Sequence, residues 1–326
     1  MQVAIVTHTY DNGTVEMVTE ALEFRGADVF RLNTDQYPTS VPLYGHWGTG
    51  VASEQILSID GVDVDFHAMD AIWYRRYRGG RQLPQSLGQY RSAALKETDL
   101  TLYGAIAASR AFQLDPVSSV RRCDHKELQT RVAIDSGLLV PPILFTNSAE
   151  AARAFIVSAD GPVIAKMQSH FAIHQGDQEQ VVFTTEVDPQ NLDSLERLKY
   201  CPMIFQHRVA KRFDIRSIVV GKQVFSARFD PKTIPNTDLD WRMSGVETIE
   251  YWEAFELPAA ESDALLRLTA SMGLNYAAAD FVMDTEGNYQ FLEINASGEW
   301  FWLEESCGLQ ISDAIAGVLL GELPRV

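Results

Sequence analysis

Three features of the sequence predict an α/β protein of three domains. The chain opens with the apolar run VAIVTH, helical spacing of apolar residues from Thr14 to Arg25, and a second run, ADVFRLNTD. A proline, Pro116, interrupts a helical pattern. The chain closes with two alternating segments around a turn at residues 285–288, and then an amphipathic helix. Strand–helix alternation is typical of open parallel sheets and alternation around a turn of hairpins, so we predict domains at 1–115, 116–200 and 201–326.

The first domain, 1–115, is predicted to be an open α/β unit with a basic turn. The segment THTYDNGT follows the first strand in place of G-x-G-x-x-G, which disfavours nicotinamide or flavin binding. A strand beginning near Asp70 leads into the turn, and helical spacing runs from Lys96 to Phe112. The basic residues of this region are Arg75, Arg76, Arg78, Arg81 and Arg91. They form either a solvated loop or an anion-binding rim.

The central domain, 116–200, begins with a helix in DHKELQTRVAIDSG that stops at Gly137. ILFTN reads as a strand, and Ser148 opens another helix. Alternation on both sides of HQGDQE predicts a long hairpin over 163–187. His170 and His174 in this hairpin have zinc-like spacing, but no glutamate or third ligand accompanies them, so we expect no metal there.

The last domain, 201–326, is predicted to carry a metal site. Glu293 and Asn295 are two residues apart on one strand and therefore share a face, while Leu292 and Ile294 are expected to face the core. Pairing across the turn brings Asp280 beside them. Two carboxylates and an amide oxygen are ligands that magnesium accepts. A further helix is predicted from Ala259 to Met272.

Several residues suit a nucleotide beside this metal. Lys126 and Lys166 lie at the start of a helix and the end of a strand, where an ammonium reaches phosphate oxygens. The segment IFQHRV, with Gln206, His207 and Val209, is suited to presenting backbone groups to an adenine edge. Asp214 and Arg216 share a strand face, and an arginine there grips phosphate or carboxylate.

Bulk composition narrows the class of protein. The net charge of −17 argues against a nucleic-acid partner, which needs a basic surface. Neither a signal peptide nor an apolar run of membrane-spanning length is visible, so a cytoplasmic protein without membrane contact is expected. The three cysteines, Cys123, Cys201 and Cys307, are scattered, which favours reduced thiols, and we interpret Cys123 as a packing residue rather than a nucleophile.

The order of these motifs resembles the ATP-grasp superfamily along nearly the whole chain. The matching segments are HKELQ, VIAKM, IFQHRV, DIRSIVVG, AADFV and FLEIN. The likeness is greatest to graspetide, or microviridin-type, peptide ligases through AIWYRRYR, KMQSHFAI, YCPMIFQ, DWR and LEINASGEWFWLE. The resemblance implies a three-domain ATP-grasp fold, with an antiparallel sheet in the last domain.

The resemblance also implies a reaction, cofactors and partners. ATP with magnesium phosphorylates a Glu or Asp side chain of a ribosomal precursor peptide, and a Thr or Ser hydroxyl or a Lys amine then closes a ring. Asp280, Glu293 and Asn295 hold the magnesium, while the lysines and Arg216 neutralise charge. The partners implied are the peptide's leader, its Thr/Ser- and Glu/Asp-rich core, and a second copy of the chain in a homodimer.

Substrate contacts are expected at residues from all three domains, namely Arg75, Arg76, Arg78, Gln190, Asn191, Trp241 and Arg242. The family's acidic leader-binding stretch is replaced here by DPQNLDS, so a different leader is expected. Trp300, Phe301 and Trp302 are interpreted either as a pocket wall that excludes water or as core. His207 replaces the usual hinge glutamate, so adenine contact falls to backbone groups. Ala296 replaces the usual proline, which we expect to be harmless because its side chain faces away from the metal.

We expect ester rings, with amide rings as the alternative. A ligase for free amino acids or for glutamate addition, and a nucleotide-binding module that only recognises a leader, are the other readings.

Overall fold

The computed structural model describes residues 1–326 except 12, 51–52, 169–171, 176–177, 182–183, 236, 238–240 and 242–247. In the short strands at 172–175 and 178–181 it describes the backbone alone. Within the described part of the chain, no helix combines the length and the apolar character needed to cross a bilayer.

The N-terminal part folds around a four-stranded parallel sheet, as the strand–helix–strand opening predicts. Its elements in chain order are β1 (Gln2–Thr7), α1 (Thr14–Phe24), β2 (Asp28–Asn33), β3 (Leu43–His46), β4 (Glu54–Ile59), β5 (Val62–Asp65), β6 (Ala71–Tyr74), α2 (Arg91–Ala108), β7 (Phe112–Leu114) and α3 (Val117–Cys123). The parallel sheet has the order β2-β1-β6-β7. β1 is central because its apolar side chains occupy both faces, which is typical of buried parallel strands.

Two features of this part were not predicted. Strands β3, β4 and β5 form a separate antiparallel sheet. Helix α2 ends at Ala108 instead of continuing to Phe112. The hydroxyl of Ser109 accepts the backbone N–H of Ala111 and donates to the carbonyl of Phe66, which turns the chain so that β7 pairs with β6.

The central part contains a four-stranded antiparallel sheet with the order β12-β9-β13-β8. Its elements are α4 (Lys126–Asp135), β8 (Ile143–Thr146), α5 (Ala149–Val157), β9 (Val163–Lys166), β10 (Ala172–Gln175), β11 (Gln178–Val181), β12 (Thr185–Glu186) and β13 (Met203–His207). The long hairpin is confirmed, since β9 pairs with β12 and β10 with β11. Ser148 caps α5 by accepting the N–H of Ala151. β13 pairs with β8 and β9, so the central sheet extends past residue 200 to His207.

The C-terminal part is built on a five-stranded antiparallel sheet with the order β16-β15-β14-β17-β18. Its elements are β14 (Lys211–Val220), β15 (Gln223–Phe229), β16 (Glu253–Phe255), α6 (Ala259–Met272), β17 (Tyr276–Asp284), β18 (Tyr289–Asn295), α7 (Phe301–Cys307) and α8 (Ile311–Leu320). The predicted bounds of α6 and the turn between β17 and β18 are confirmed. α7 was not predicted.

A shared core joins the N-terminal and C-terminal sheets. Ile5 of β1, Trp73 of β6 and Ile315 of α8 belong to one buried cluster with Trp300 and Tyr276. Burial of each such aliphatic or aromatic side chain contributes about 1.5–3 kcal/mol. The two sheets are therefore held by the same apolar side chains.

Asp115 adds a polar link between these sheets. Its carboxylate accepts the backbone N–H groups of Asn275 (2.8 Å) and Tyr276 (2.9 Å) and the side-chain amide of Asn275 (3.2 Å). Burial raises the pKa of Asp115 to about 6, while these hydrogen bonds act in the opposite direction. The end of β7 is thereby fixed to the start of β17.

Candidate active site

A row of charged side chains crosses the C-terminal sheet. Arg216 of β14 lies opposite Asp280 of β17, which lies opposite Glu293 of β18. Arg216 Nη1 donates to Asp280 Oδ1 at 2.8 Å. The predicted pairing of Asp280 with Glu293 across the hairpin is confirmed. Because directly opposite residues of antiparallel strands share a face, the three side chains emerge together.

A β-bulge shapes β18 next to this row. Asp280 pairs with Glu293 but Phe281 pairs with Phe291, so Leu292 is the extra residue on β18. The expectation that Leu292 faces the core is therefore wrong: Leu292 is only half-buried, whereas Ile294 is fully buried. A bulge reverses the strand's alternation on one side of the extra residue.

Lys126 completes the row from outside the sheet. It is the first residue of α4, and its Nζ lies 2.7 Å from Glu293 Oε2. Both side chains are 18% exposed. Along the row the charges are therefore positive, negative, negative and positive.

The acidic part of the row fits a magnesium ion. Asp280 and Glu293 are adjacent carboxylates, and Asn295 follows on the same strand, opposite Ala278. The side chain of Asn295 is exposed, and its Oδ1 accepts the N–H of Ser297 at 2.8 Å, which leaves a second lone pair on that oxygen. The described residues contain no cluster of three His, Cys, Asp or Glu side chains suited to a metal. An all-oxygen set of two carboxylates and an amide suits magnesium rather than zinc.

A cleft of about 1030 Å³ opens beside Lys126. Residues of α4 and β8 line it, together with Gln168; they include Lys126, Glu127, Arg131, Ile143 and Phe145. Phe145, Ile204 and Lys166 are opposite one another in the central sheet, so their side chains leave the same face. Lys126 therefore lines this cleft, and the side chain of Lys166 leaves the sheet face that borders it.

The hinge residues divide between the two faces of β13. Gln206 Oε1 accepts from Lys166 Nζ at 2.8 Å, and its buried Nε2 has no hydrogen-bond partner in the described part of the chain. A buried amide donor fits a ligand acceptor such as a ring nitrogen of a base. His207 faces the other way, with its ring centroid 5.0 Å from that of Phe155. The backbone N–H of His207 donates to the carbonyl of Pro142. Val209 is half-buried in the connection to β14.

Asp214 lies on the same strand face as Arg216 but in a buried ion pair. Lys211 Nζ lies 2.7 Å from Asp214 Oδ2 and also donates to the carbonyl of Thr237 at 3.2 Å. Lys211 was missed by sequence analysis because nothing in the sequence distinguishes it from a surface lysine. In the structure it fastens the segment that follows β15 to the sheet.

The basic turn after β6 is not a uniform rim. Arg75 is 1% exposed; its Nη2 lies 2.7 Å from Glu299 Oε2, and its Nη1 donates to the carbonyls of Ser297 and Gly298. Including Arg75 in an exposed anion-binding rim is therefore wrong, because its guanidinium is buried and paired. The Nη2 atom of Arg76 lies 2.6 Å from Glu299 Oε1, and burial together with the neighbouring Arg75 lowers the pKa of Arg76. The side chain of Arg78 is exposed.

Glu299 is the main site residue that the sequence did not reveal. Besides the two arginines, its carboxylate accepts the hydroxyl of Thr14 at 2.8 Å, and its backbone carbonyl accepts Arg216 Nη2 at 3.0 Å. It therefore connects the basic turn and the start of α1 to the charged row. Its carboxylate partners, Thr14, Arg75 and Arg76, lie more than 200 positions away in the chain, and Arg216 is 83 positions away, so only the fold reveals their proximity.

Most aromatic residues near Glu299 are core residues. Trp300 is fully buried and Trp302 is 7% exposed, both in the cluster beneath α8, so the pocket-wall interpretation is wrong for them. Trp241 packs on Trp252 and Trp302 with ring centroids 5.1 and 5.6 Å apart. Phe301 lies beside Gly13, at the start of α1.

The other predicted residues lie away from the charged row. Gln190 and Asn191 are exposed in a turn before a short 3-10 helix at Asp193–Lys199. Arg242 and His170 lie outside the described residues, as does the side chain of His174. Cys123 is buried, and burial raises its pKa to about 12, in agreement with a packing role.

Two family models match the chain. A model described as "MvdD pre-ATP grasp domain" matches residues 2–121. A model described as "RimK-like ATP-grasp domain" matches residues 123–319. No curated protein shows a significant match.

Three solved structures are similar over nearly the full length. An ATP-grasp ligase from Chryseobacterium gregarium, described as RiPP-associated and in complex with ADP, a leader and a core peptide, has 35% identity and a TM-score of 0.94, with 99% of this chain and 98% of that chain covered. The macrocyclase MdnC from Microcystis aeruginosa MRC, bound with the precursor peptide MdnA, has 37% identity and a TM-score of 0.88, with 98% and 100% covered. The macrocyclase MdnB from the same organism has 31% identity and a TM-score of 0.81, with 98% and 99% covered.

Proposed function

Because this chain belongs to the RimK-like ATP-grasp family, we propose that it is an ATP-dependent ligase that closes rings in a ribosomal precursor peptide. ATP and magnesium are its cofactors. The finer proposal is that it joins Glu or Asp side chains to Thr or Ser hydroxyls as ω-esters. The relatives described as macrocyclases and as a RiPP-associated ligase support the peptide substrate.

The observation that carries the proposal is the charged row of Arg216, Asp280, Glu293 and Lys126 beside the cleft of about 1030 Å³. Phosphoryl transfer requires positioning and charge neutralisation more than covalent help from the protein. Two carboxylates and an amide oxygen suit the cation, while Lys126, Lys166 and Arg216 supply positive charge. A module that only recognises a leader peptide would not require this combination of cation-binding oxygens and positive side chains.

In the proposed reaction, the γ-phosphoryl group passes from ATP to a peptide carboxylate, which yields an acyl phosphate and ADP. A hydroxyl oxygen then attacks the acyl carbon, phosphate leaves, and the hydroxyl proton is released. Arg216 neutralises charge during transfer, Gln206 and the hinge around His207 and Val209 contact adenine, and Lys211 keeps Asp214 in place. Each ring closed removes one water from the peptide.

Binding of the peptide is proposed to involve exposed groups from several parts of the chain. Arg78, with Arg76 beside it, is proposed to attract the acidic core, since exposed guanidinium groups steer carboxylates. Gln190 and Asn191 are proposed to contact the leader, and Trp241 and Arg242 the core. A homodimer is proposed from the family resemblance alone.

Intact mass tests the proposal. A candidate precursor rich in Thr and in Glu or Asp is incubated with the protein, ATP and magnesium. We expect stepwise, ATP-dependent loss of water, and mild alkali should reopen the rings if they are esters; rings that survive alkali are amides. Unchanged mass with brisk ATP hydrolysis would instead favour free amino-acid substrates, and no hydrolysis would favour a binding module.

A further inference from the structure

Gln129 of α4 is buried against the middle of β18. It is 2% exposed. Its Oε1 accepts the backbone N–H of Ile294 at 3.1 Å, and its Nε2 donates to the carbonyl of Ile294 at 2.9 Å. Nε2 also donates to the carbonyl of Cys123, which precedes α4. One side-chain amide therefore satisfies both backbone groups of Ile294.

The place of Ile294 in the sheet gives this contact its significance. β18 is the last strand of the five-stranded sheet, so every second residue turns its N–H and C=O away from β17. Ile294, opposite Ala279, is such a residue. An edge strand presents N–H and C=O groups that no neighbouring strand satisfies. At this position the side chain of Gln129 makes the two backbone hydrogen bonds that a sixth strand would otherwise make.

Ile294 lies between two of the three proposed magnesium ligands. Glu293 precedes it and Asn295 follows it, so fixing the Ile294 backbone limits the movement of both side chains. Lys126 lies one helical turn before Gln129 and contacts Glu293 at 2.7 Å. Thus the same helix holds the strand through its backbone and contacts its carboxylate.

We propose that Gln129 is a positioning residue for the magnesium site, which holds Glu293 and Asn295 at the distance from Lys126 and Asp280 that a metal–nucleotide complex requires. The inference rests on the proposed function, because it presumes that Asp280, Glu293 and Asn295 bind magnesium. A carboxamide serves both groups of Ile294 because it carries a donor nitrogen and an acceptor oxygen on the same carbon. Asparagine carries the same groups but is one carbon shorter.

Two variants test the proposal. Gln129→Met keeps the length and helix propensity but removes both hydrogen bonds, while Gln129→Glu keeps an acceptor and removes the donor. ADP binding is measured by calorimetry with magnesium and again with EDTA. Loss of groups that orient metal ligands typically costs 10–100-fold in metal affinity. We expect the magnesium-dependent gain in ADP affinity to fall about tenfold or more in both variants, with ADP binding in EDTA changed far less.

A matched control separates positioning from general destabilisation. Gln113 of β7 is half-buried, whereas Gln129 is buried; like Gln129 it donates its amide to a backbone carbonyl, that of Ile106, at 2.9 Å, but it lies in the N-terminal sheet. Gln113→Met should lower the thermal midpoint without altering the magnesium-dependent gain. In turnover assays, the Gln129 variants should need more magnesium for half-maximal rate at an unchanged KM for peptide.

The outcomes are distinct. A full magnesium-dependent gain in folded Gln129→Met or Gln129→Glu, or an equal loss in Gln113→Met, overturns the positioning role and leaves the ligase proposal standing. Absence of any magnesium-dependent gain in the wild-type protein overturns the ligase proposal itself, and the inference with it.

Discussion

At the scale of single residues, the charged row determines what the site can do. Asp280 and Glu293 are adjacent, and each has a cation within 2.8 Å, so neither is an isolated half-buried charge. The neighbouring cations offset the cost of burying these carboxylates. The arrangement is therefore both stable and usable for metal binding.

Glu293→Gln tests the metal assignment. The amide is isosteric but neutral, so it loses attraction for a divalent cation and for Lys126. We expect the rate of ring formation to fall more than about 100-fold while peptide binding is retained. Turnover and peptide affinity are compared with Glu286→Gln, a change in the exposed turn of the same hairpin that should have no effect. Normal ring formation by Glu293→Gln would remove Glu293 from the site.

Arg75→Met tests whether Arg75 is structural. Arg75 Nε lies 3.8 Å from Asp11 Oδ2, and Arg75 Nη2 lies 2.7 Å from Glu299 Oε2. Removing the buried guanidinium leaves both carboxylates with one arginine fewer, so we expect a loss of roughly 2–4 kcal/mol in the free energy of unfolding, measured with urea. Arg78→Ala should stay within about 0.5 kcal/mol, because its side chain is exposed. In contrast, Arg78→Ala should weaken peptide affinity most at low salt. Equal stability of both variants would contradict the burial of Arg75.

At the scale of elements, the loop after β18 approaches the charged row so closely that it tolerates no added atom. A Cβ on Gly298 would lie 2.4 Å from the Cβ of Ala278 and 2.6 Å from Arg216 Nη2. Because real Cβ contacts are never this short, either the loop or the arginine would move. The position of Arg216 therefore depends on a glycine in a different element.

Gly298→Ala is accordingly expected to lower kcat by about tenfold to 100-fold, since misplacement by about 1 Å has effects of this size. The control is Gly104→Ala on α2, where an added Cβ meets nothing within 4 Å. That change should stabilise the protein by about 0.5–1 kcal/mol and leave kcat unchanged. Steady-state kinetics would compare kcat of the two variants, and thermal unfolding would compare their stability. Full activity of Gly298→Ala would show that Arg216 tolerates displacement.

Periodicity predicted the elements whose patterns are strong and missed those set by tertiary contacts. The bounds of α6 and the β17–β18 hairpin followed from regular apolar spacing, and the pairing of Asp280 with Glu293 followed from the hairpin. The burial of Arg75 and the role of Glu299 did not, because each depends on a partner distant in sequence. The bulge at Leu292 did not either, because strict alternation was assumed along the whole of β18. The β3–β5 sheet was missed because its strands are only four to six residues long, although VDVD of β5 alternates.

At the scale of the whole molecule, Asp115 makes the joint between the N-terminal and C-terminal sheets sensitive to pH. Its pKa is raised from 3.8 to about 6 in the folded protein, so the folded state binds the proton more tightly than the unfolded state. This contribution to stability is therefore present below about pH 4 and is lost as the pH rises through about 6. The loss amounts to up to about 3 kcal/mol.

Urea unfolding of wild type and Asp115→Asn between pH 4 and 7.5 measures this effect. The difference between the two curves of unfolding free energy against pH removes the contributions of all other titrating groups. We expect wild type to lose stability relative to Asp115→Asn as the pH rises from about 4 to about 6, and the difference to level off above that range. A flat difference curve would mean that Asp115 keeps an ordinary pKa in the folded protein.

The pairing of Lys126 with Glu293 and of Arg216 with Asp280 also affects the order in which ligands load. Under the proposed function, a divalent cation held by these carboxylates would compete with an ammonium and a guanidinium, which would then need new counter-charges. Phosphate oxygens bound beside the cation would supply those counter-charges. We therefore expect magnesium to bind weakly in the absence of nucleotide, and metal and nucleotide to bind as a pair.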